Sequence, residues 1–184
     1  MIDLRSSGAA VRLSLLLLVV CLLLVVLHMF GAPAAERAWN RLVDRAVVDL
    51  AGGRSVGPRV AVNRSARPYG PASLAYYALD TGQAYAVHLM VPGHRAPLHL
   101  LVEVDNHGTV LAMRMIVGGE SLWAVVRAER FLDPFVGSGG DRPIPRSVQQ
   151  LERDQYEAVS GASITFSVIG EGVLQAVRVV EDMR

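Results

Sequence analysis

The stretch from Pro97 to Gly118, PLHLLVEVDNHGTVLAMRMIVG, predicts a β-hairpin. Two apolar runs, residues 97–105 and 109–118, flank Asn106-His107-Gly108, and the glycine can adopt the positive φ that a three-residue hairpin turn needs. Along the first run, two sets of residues alternate, and one set is more polar than the other. The sets are Leu100, Val102 and Val104, and His99, Leu101, Glu103 and Asp105. The pattern therefore predicts antiparallel strands with one more polar face.

A second pair of strands is predicted immediately upstream. Residues 74–80, LAYYALD, and 84–91, AYAVHLMV, flank Thr81-Gly82, which predicts a hairpin turn. Near the C-terminus, apolar residues recur at the spacing of a helix that packs on a sheet. They are Ile169, Val173, Ala176, Val177 and Val180. Four antiparallel strands and packed helices, without internal repeats, predict an α+β fold in which helices cover one face of the sheet.

The N-terminal region predicts a membrane anchor, residues 1–35. Leu13 to Phe30 is a run of 18 residues without a formal charge, nearly long enough to cross a hydrocarbon core of about 30 Å as a helix. Arg5 and Arg12 precede the run and favour a cytoplasmic N-terminus. The alternative is a cleaved signal peptide with Ala32-Pro33-Ala34 before its cleavage site, but the apolar run is longer than a usual signal-peptide core. Under either interpretation the rest of the chain is exported.

Residues 36–72 are expected to connect the anchor to the domain. Their first part has apolar residues at helical spacing, and Gly52-Gly53 stops the pattern, so an amphipathic helix is predicted. Its apolar positions are Trp39, Leu42, Val43, Ala46, Val47 and Leu50. The second part, residues 54–73, is rich in Pro, Gly and Arg and is expected to be irregular. Residues 73–184 then form the exported domain.

Composition excludes several classes of function. The net charge of +1, from 18 basic and 17 acidic residues, argues against nucleic-acid binding, which normally shows a basic excess. The chain has no Lys, which excludes a phosphate-loop lysine and a lysine Schiff base. Cys21 is the only cysteine, which excludes an internal disulfide and a cysteine-ligated iron–sulfur cluster. His88, His94, His99 and His107 lack the spacing of a helical metal-binding pair and are expected to be structural, so no metal site is predicted.

The stretch from Ser160 to Thr165, SGASIT, has the most chemical content. Three hydroxyl-bearing residues and a glycine precede the predicted C-terminal helix, although a helix cap needs only one hydroxyl. The unpaired N–H groups and the dipole at the start of a helix favour a phosphate. Gly161 also permits a tight approach of the backbone. The stretch is therefore either a helix cap behind a turn of small residues or a site for a phosphorylated ligand.

The same stretch resembles the signature S/T-G-A-T-x-T of the FMN-binding domain that the Rnf ion-translocating oxidoreductase carries on its exported flavin subunit. The corresponding flavin subunit of the sodium-translocating NADH:quinone reductase is similar. Five of the six positions fit, and Ser163 stands where the family usually has Thr. The fitting residues are Ser160, Gly161, Ala162, Ile164 and Thr165. The resemblance implies covalent FMN on the Thr165 hydroxyl, through a phosphoester bond that a separate flavin transferase makes from FAD.

A second segment of the family, E-T-P-G-L-G, lies near the flavin ring. Glu120 fits its first position and Ser121 is close to its second, while Leu122-Trp123-Ala124-Val125 replace the remaining four residues. The resemblance implies that Glu120 and Ser121 lie near the flavin. Trp123 either stacks on the flavin ring or is a buried aromatic residue of a helix. Upstream of the motif, Glu157 stands where family members commonly have Asp.

The resemblance as a whole implies a single-pass inner-membrane protein with its FMN domain on the extracytoplasmic side. Such a protein passes electrons within or beside an Rnf-like complex, has the membrane subunits of that complex as partners, and is not catalytic alone. Two alternatives remain open. One is an exported module that binds FMN or another ligand as a sensor, without a role in an electron chain. The other is an exported structural or assembly protein in which SGASIT is only a helix cap.

Overall fold

A computed structural model describes residues 4–65, 68, 70–93, 96–117, 129–159 and 161–184. The chain divides into two compact units, Met1–Leu42 and Val43–Arg184. Helix α1, Leu4–Ala51, begins in the first unit and ends in the second. An antiparallel five-stranded sheet with packed helices follows α1 along the chain. The predicted α+β fold is therefore confirmed.

Helix α1 is one continuous element of 48 residues. Pro33 lies inside α1 without ending it, so the predicted anchor and the predicted amphipathic helix are parts of the same helix. Gly52 and Gly53, with φ angles of 60° and 89°, follow its last residue. Glycine ends a helix readily because it adopts positive φ without the steric cost of a Cβ atom.

The first unit exposes apolar side chains along α1. All side chains from Val11 to Met29 are exposed, and most of them are Leu or Val. Among the described residues, two helical stretches are long and apolar enough to cross a membrane, Val11–Ala51 and Ser163–Glu181. More than half of the apolar window in the second stretch is buried in the core, whereas that of the first is not buried at all. The apolar part of α1 is thus the candidate membrane span.

Five strands form an antiparallel meander in the order β1-β2-β3-β4-β5. They are β1 Val60–Ser65, β2 Ala72–Leu79, β3 Ala84–Val91, β4 Leu98–Asp105 and β5 Val110–Val117. Both predicted hairpins are present. In the β2–β3 turn, Thr81 and Gly82 have φ angles of 56° and 94°. In the β4–β5 turn, the Asp105 carboxylate accepts hydrogen bonds from the N–H groups of His107 and Thr109 at 2.7 and 2.8 Å, which holds the turn closed.

Strand β1 corrects the expectation that residues 54–73 are irregular. It pairs antiparallel with β2 at one edge of the sheet. Nearly all of its side chains are exposed, and its register shifts around Asn63, which has a φ of 50°. An edge strand with a bulge and no buried face shows no regular alternation of apolar and polar residues. Its identity as a strand depends on backbone hydrogen bonds to β2, which the pattern of side chains does not encode.

The main core lies between one face of the sheet and helix α3, Ser163–Glu181. The shorter helix α2, Arg153–Val159, precedes α3. The buried residues of α3 include the complete predicted stripe: Ile169, Val173, Ala176, Val177 and Val180. Phe166 extends this surface, since its ring stacks on Phe135 with centroids 4.6 Å apart and meets Phe131 edge-on at 6.1 Å. Burial of this apolar surface is the main force that holds α3 on the sheet.

The last two turns of α1 lie against the opposite face of the sheet. The Tyr77 hydroxyl of β2 donates to Asp44 at 3.0 Å, and Arg114 of β5 forms an ion pair with Asp49 at 3.2 Å. Several small or apolar residues of this part of α1 are buried: Val43, Ala46, Val47 and Ala51. Helices therefore cover both faces of the sheet, where the sequence predicts one covered face. Strands β3 and β4 carry buried residues on both of their alternating faces, so both faces of the sheet need a covering layer.

Candidate functional site

The SGASIT stretch lies at the start of α3. The helix begins at Ser163, its N-cap residue is Ala162, and Gly161 has a φ of 87°. Thr165 is the third residue of the helix, and its side chain is partly buried. Ser160 lies outside the described residues. Thr165 thus occupies the first turn of the C-terminal helix, where the sequence predicts the start of that helix.

Helix capping does not occupy the hydroxyl groups of Ser163 and Thr165. The N-cap residue, Ala162, has no hydroxyl and makes no side-chain cap bond. Within the part of the chain that the structure describes, neither Ser163 Oγ nor Thr165 Oγ1 makes a hydrogen bond, although the Ser163 carbonyl accepts one from Ser167 at 3.0 Å. By contrast, Ser147 caps the turn that follows it through its own hydroxyl. Both hydroxyl groups at the start of α3 are therefore open to chemistry.

Two close contacts of α3 show which end of the sheet Thr165 faces. A Cβ atom on Gly108, in the β4–β5 turn, would meet Val177 at 3.3 Å. A Cβ atom on Gly172, earlier in α3, would meet Val91 at the end of β3 at 3.4 Å. Helix α3 therefore runs from the β3–β4 end of the sheet toward the β4–β5 turn. Thr165 precedes Gly172 by seven residues, or about 10 Å along the helix axis, so it lies at or beyond the β3–β4 end.

The remaining residues of the predicted flavin site follow β5 in the sequence. Glu120, Ser121 and Trp123 fall within residues 118–128, outside the described residues. Strand β5 ends at Val117, which pairs with His99 near the start of β4. Because β4 starts at the β3–β4 end of the sheet, β5 ends at the same end as Thr165. The described residues therefore bring the end of β5 to the same end of the sheet as Thr165.

The first turn of α3 contains no acidic residue. Glu157, at the position where the family commonly has Asp, is exposed and pairs with Arg153 at 3.8 Å. Ile164, next to Thr165, has an exposed fraction of 83%. A phosphate attached to Thr165 would therefore meet the positive end of the helix dipole and no carboxylate from the same turn.

A cleft beside α3 is too small to be a flavin site. Its volume is about 120 Å³, whereas sites for small molecules usually have about 300–1,000 Å³. It is lined by Arg142, Pro143, Ile144, Pro145, Gln150, Leu151 and Gln155, and Thr165 is not among them. The Pro145 carbonyl lies so close to Gly170 of α3 that a Cβ atom there would overlap it. The cleft is a packing feature between residues 142–151 and Gln155 of α2.

The sheet face opposite α3 carries a histidine pair, in which His88 is buried and His99 is half-buried. His88 of β3 has its Nε2 atom 3.2 Å from Nδ1 of His99 of β4. Burial lowers the pKa of both imidazoles, and the positive charges of His99 and Arg59 lower the pKa of His88 further, to about 4. No group of three or more His, Cys, Asp or Glu residues that could hold a metal occurs in the described ranges. The separation of the two histidines in sequence gave no sign of this pair, which the pairing of β3 with β4 creates.

A buried ion pair lies on the same sheet. Glu103 of β4 has an exposed fraction of 2%, and Arg54, just after α1, meets it with both terminal nitrogens, at 2.5 and 2.7 Å. The hydrogen bond to Glu103 raises the pKa of Arg54. Two parallel bonds are the geometry in which an arginine best compensates a buried carboxylate. The pair ties the end of α1 to the sheet and plays a structural role.

Comparison of the sequence with known protein families and with curated proteins finds no match. The described residues define an α+β domain that follows a candidate membrane span. Its candidate site is a threonine hydroxyl in the first turn of the C-terminal helix.

Proposed function

We propose that this protein is a membrane-anchored flavoprotein that carries FMN covalently on Thr165 and passes electrons within or beside an Rnf-like ion-translocating redox complex. The observation that carries the proposal is the Thr165 hydroxyl, which makes no hydrogen bond within the described residues although it stands in the first turn of α3. The positive φ of Gly161 and the lack of a capping hydroxyl on Ala162 support the same assignment.

A phosphoester at Thr165 suits the physical chemistry of this turn. The first N–H groups of α3 have no carbonyl partners within the helix, and the helix dipole favours negative charge there. Thr165 is partly exposed, so a separate flavin transferase can reach it. A covalent bond also removes the need for a lysine-based phosphate pocket, in a chain that has no Lys. Once attached, FMN supplies the redox chemistry, and the chain holds and orients it.

The exposed apolar part of α1 supports the membrane anchor of this proposal. Arg5 and Arg12 precede the apolar run, which favours an N-terminus in the cytoplasm and a domain on the extracytoplasmic side of the inner membrane. The partners in this proposal are the membrane subunits of the redox complex and the flavin transferase. The protein is a carrier of electrons and not an enzyme by itself.

The test is intact-mass analysis of the full chain after co-expression with an exported flavin transferase. The wild-type chain is expected to gain the mass of FMN minus water and to show flavin fluorescence after denaturation. Thr165→Ala removes the only atom to which the phosphate bonds, so that variant is expected to lose both signals. Ser163→Ala removes the other open hydroxyl of the same turn and is the matched control, expected to keep them.

Four results would contradict the proposal or a part of it. Flavin on Thr165→Ala would place the bond elsewhere, and no flavin on the wild-type chain would reduce SGASIT to a turn before a helix. Attachment by a transferase confined to the cytoplasm, and not by the exported one, would reverse the orientation of the domain. Attached flavin that membrane electron carriers do not reduce would favour the sensor over the electron carrier.

A further inference from the structure

Two arginines lie on α1 shortly after its apolar run. Arg37 and Arg41 are exposed and four residues apart, so they lie on one face of the helix. Each side chain folds back by one turn toward the apolar run. Arg37 Nε donates to the Pro33 carbonyl at 3.0 Å, and Arg41 Nε donates to the Arg37 carbonyl at 3.3 Å. Both guanidinium groups are therefore held along the helix surface, displaced toward the apolar run.

Neither arginine forms an ion pair with any described residue. Other exposed arginines do so, for example Arg114 with Asp49 at 3.2 Å and Arg153 with Glu157 at 3.8 Å. The acidic neighbour of Arg37, Glu36, lies on a different face of the helix, because adjacent helical residues do not face each other. Asp44 also lies on the face of Arg37 and Arg41, but it accepts a hydrogen bond from Tyr77. Two neighbouring cations thus share one helix face, and neither forms an ion pair with a carboxylate of the described chain.

The two arginine side chains lie about as far beyond the apolar run as the lipid headgroups lie beyond the hydrocarbon core. The carbonyl groups that anchor the two side chains belong to residues three and seven positions after Phe30, or about 4.5 and 10 Å along the helix. The headgroup region adds roughly 5–8 Å to each side of the hydrocarbon core. Guanidinium groups at these levels lie within or at the outer edge of the layer that contains the lipid phosphates.

We propose that Arg37 and Arg41 bind the phosphate groups of anionic phospholipids in the leaflet at the C-terminal end of the apolar run. A guanidinium group donates two parallel hydrogen bonds to a phosphate, and anionic headgroups are preferred because no ammonium group competes for that phosphate. The folded-back conformation aims both groups at the membrane surface in advance. This inference goes beyond the proposed flavin chemistry and requires only that the apolar part of α1 lies in the membrane.

Trp39, between the two arginines on α1, provides a local readout. The experiment uses the full chain with Trp123→Phe, produced without a flavin transferase and reconstituted in phosphatidylcholine vesicles, so that Trp39 is the only tryptophan and no flavin quenches it. Quenching of Trp39 is compared for two lipids with a nitroxide on the headgroup, one an anionic phosphodiester and the other a zwitterionic choline analogue. Arg5 and Arg12, on the other side of the bilayer, are too far away to affect this signal.

At low ionic strength the anionic lipid is expected to quench Trp39 several-fold more strongly, since each arginine near a charged surface favours it by about fivefold. The preference should approach equality at about 1 M salt, where the Debye length is about 3 Å. It should also be lost in Arg37→Gln/Arg41→Gln and kept in Arg178→Gln, which removes an exposed arginine of α3. Equal quenching by the two lipids in the parent chain, a preference that survives in the double variant, or no quenching by either lipid would each overturn the proposal.

Discussion

The face of α3 on which Thr165 lies determines the direction in which a group bonded to its hydroxyl extends. Ile169 and Gly172 follow it by four and seven residues, so the three share one side of the helix. Ile169 is buried, and Gly172 lies against β3. A group bonded to Thr165 therefore extends toward the end of the sheet, where the helix and the strands can shield it. Ser163 is exposed and lies on a different side, so its hydroxyl offers no such shelter.

Among the glycines that the structure describes, Gly139 has the least room for a side chain. Its φ is 88°, and a Cβ atom there would overlap the carbonyl oxygen of Gly108, in the β4–β5 turn. Gly139→Ala is expected to lower the free energy of unfolding by about 2–4 kcal/mol, because it adds a clash with rigid backbone to the cost of a positive φ. Urea unfolding monitored by circular dichroism measures the change.

Gly53→Ala is the matched control for this prediction. Gly53 has a φ of 89°, but a Cβ atom there would meet nothing within 4 Å. Its substitution is expected to destabilise the fold by only about 1–2 kcal/mol, which is the cost of the left-handed conformation alone. Equal losses of stability in the two variants would show that the contact between Gly139 and Gly108 does not contribute.

Among the elements, the pairing of β3 with β4 has the clearest consequence for pH dependence. It places the buried His88 beside His99, with Arg59 as a further positive charge. The nearby acidic groups on this face have other partners, since Asp44 accepts from Tyr77 and Glu103 pairs with Arg54. A proton on His88 would therefore add a charge to a buried site that already lies near positive groups.

The free energy of unfolding is expected to fall as the pH is lowered from 6.5 to 4. The pKa of His88 drops from 6.5 in the unfolded chain to about 4 in the folded protein, so the unfolded chain binds the proton first. The stability that the neutral form of His88 contributes to the folded protein is fully present above pH 6.5. It decreases as the pH falls and is lost by about pH 4. The full loss corresponds to about 3 kcal/mol. Urea unfolding across this pH range measures it.

His88→Asn tests the source of this pH dependence, because it removes the imidazole and keeps a polar side chain. The variant is expected to be less stable at pH 7 but to have a flatter profile between pH 6.5 and 5, above most carboxylate titrations. His107→Asn, in the exposed β4–β5 turn, should keep the wild-type slope. A slope that is unchanged in His88→Asn would assign the pH dependence to other groups.

In the whole molecule, the two compact units have opposite relations to water. The unit Val43–Arg184 contains the sheet, α2, α3 and the hydrophobic core. The unit Met1–Leu42 exposes the apolar run of α1. A chain of residues 43–184 is therefore expected to be soluble without detergent and to unfold in a single cooperative transition, whereas the full chain should require detergent. Whether each chain stays in the supernatant after membranes are sedimented measures solubility, and thermal unfolding measures cooperativity.

The boundary at Val43 makes this prediction specific. A chain that begins at residue 52 lacks the buried residues Val43, Ala46, Val47 and Ala51, and is expected to be much less stable than residues 43–184. Equal stability of the two truncated chains would mean that the end of α1 contributes nothing to the domain. An insoluble chain 43–184 would contradict its independence.

Local patterns of residues are sufficient to predict the α+β class, the β2–β3 and β4–β5 hairpins, the apolar stripe of α3 and the apolar run of α1. Each of these depends on a local signal: the period-two pattern of a strand, the 3.6-residue period of a helix, or a turn residue that tolerates positive φ. The same local signals place Thr165 at the start of α3, because the stripe of that helix begins directly after SGASIT.

The other features of the fold depend on contacts between elements that are distant in sequence. Strand β1 has no buried face and becomes a strand through its hydrogen bonds to β2. The second helical layer, the ion pair of Arg54 with Glu103 and the pair of His88 with His99 all join residues that are distant in sequence. The place of Thr165 at the β3–β4 end of the sheet is likewise set by the packing of α3 on β3. Such features follow from which elements pair and pack, and a local pattern of residues carries no information on that choice.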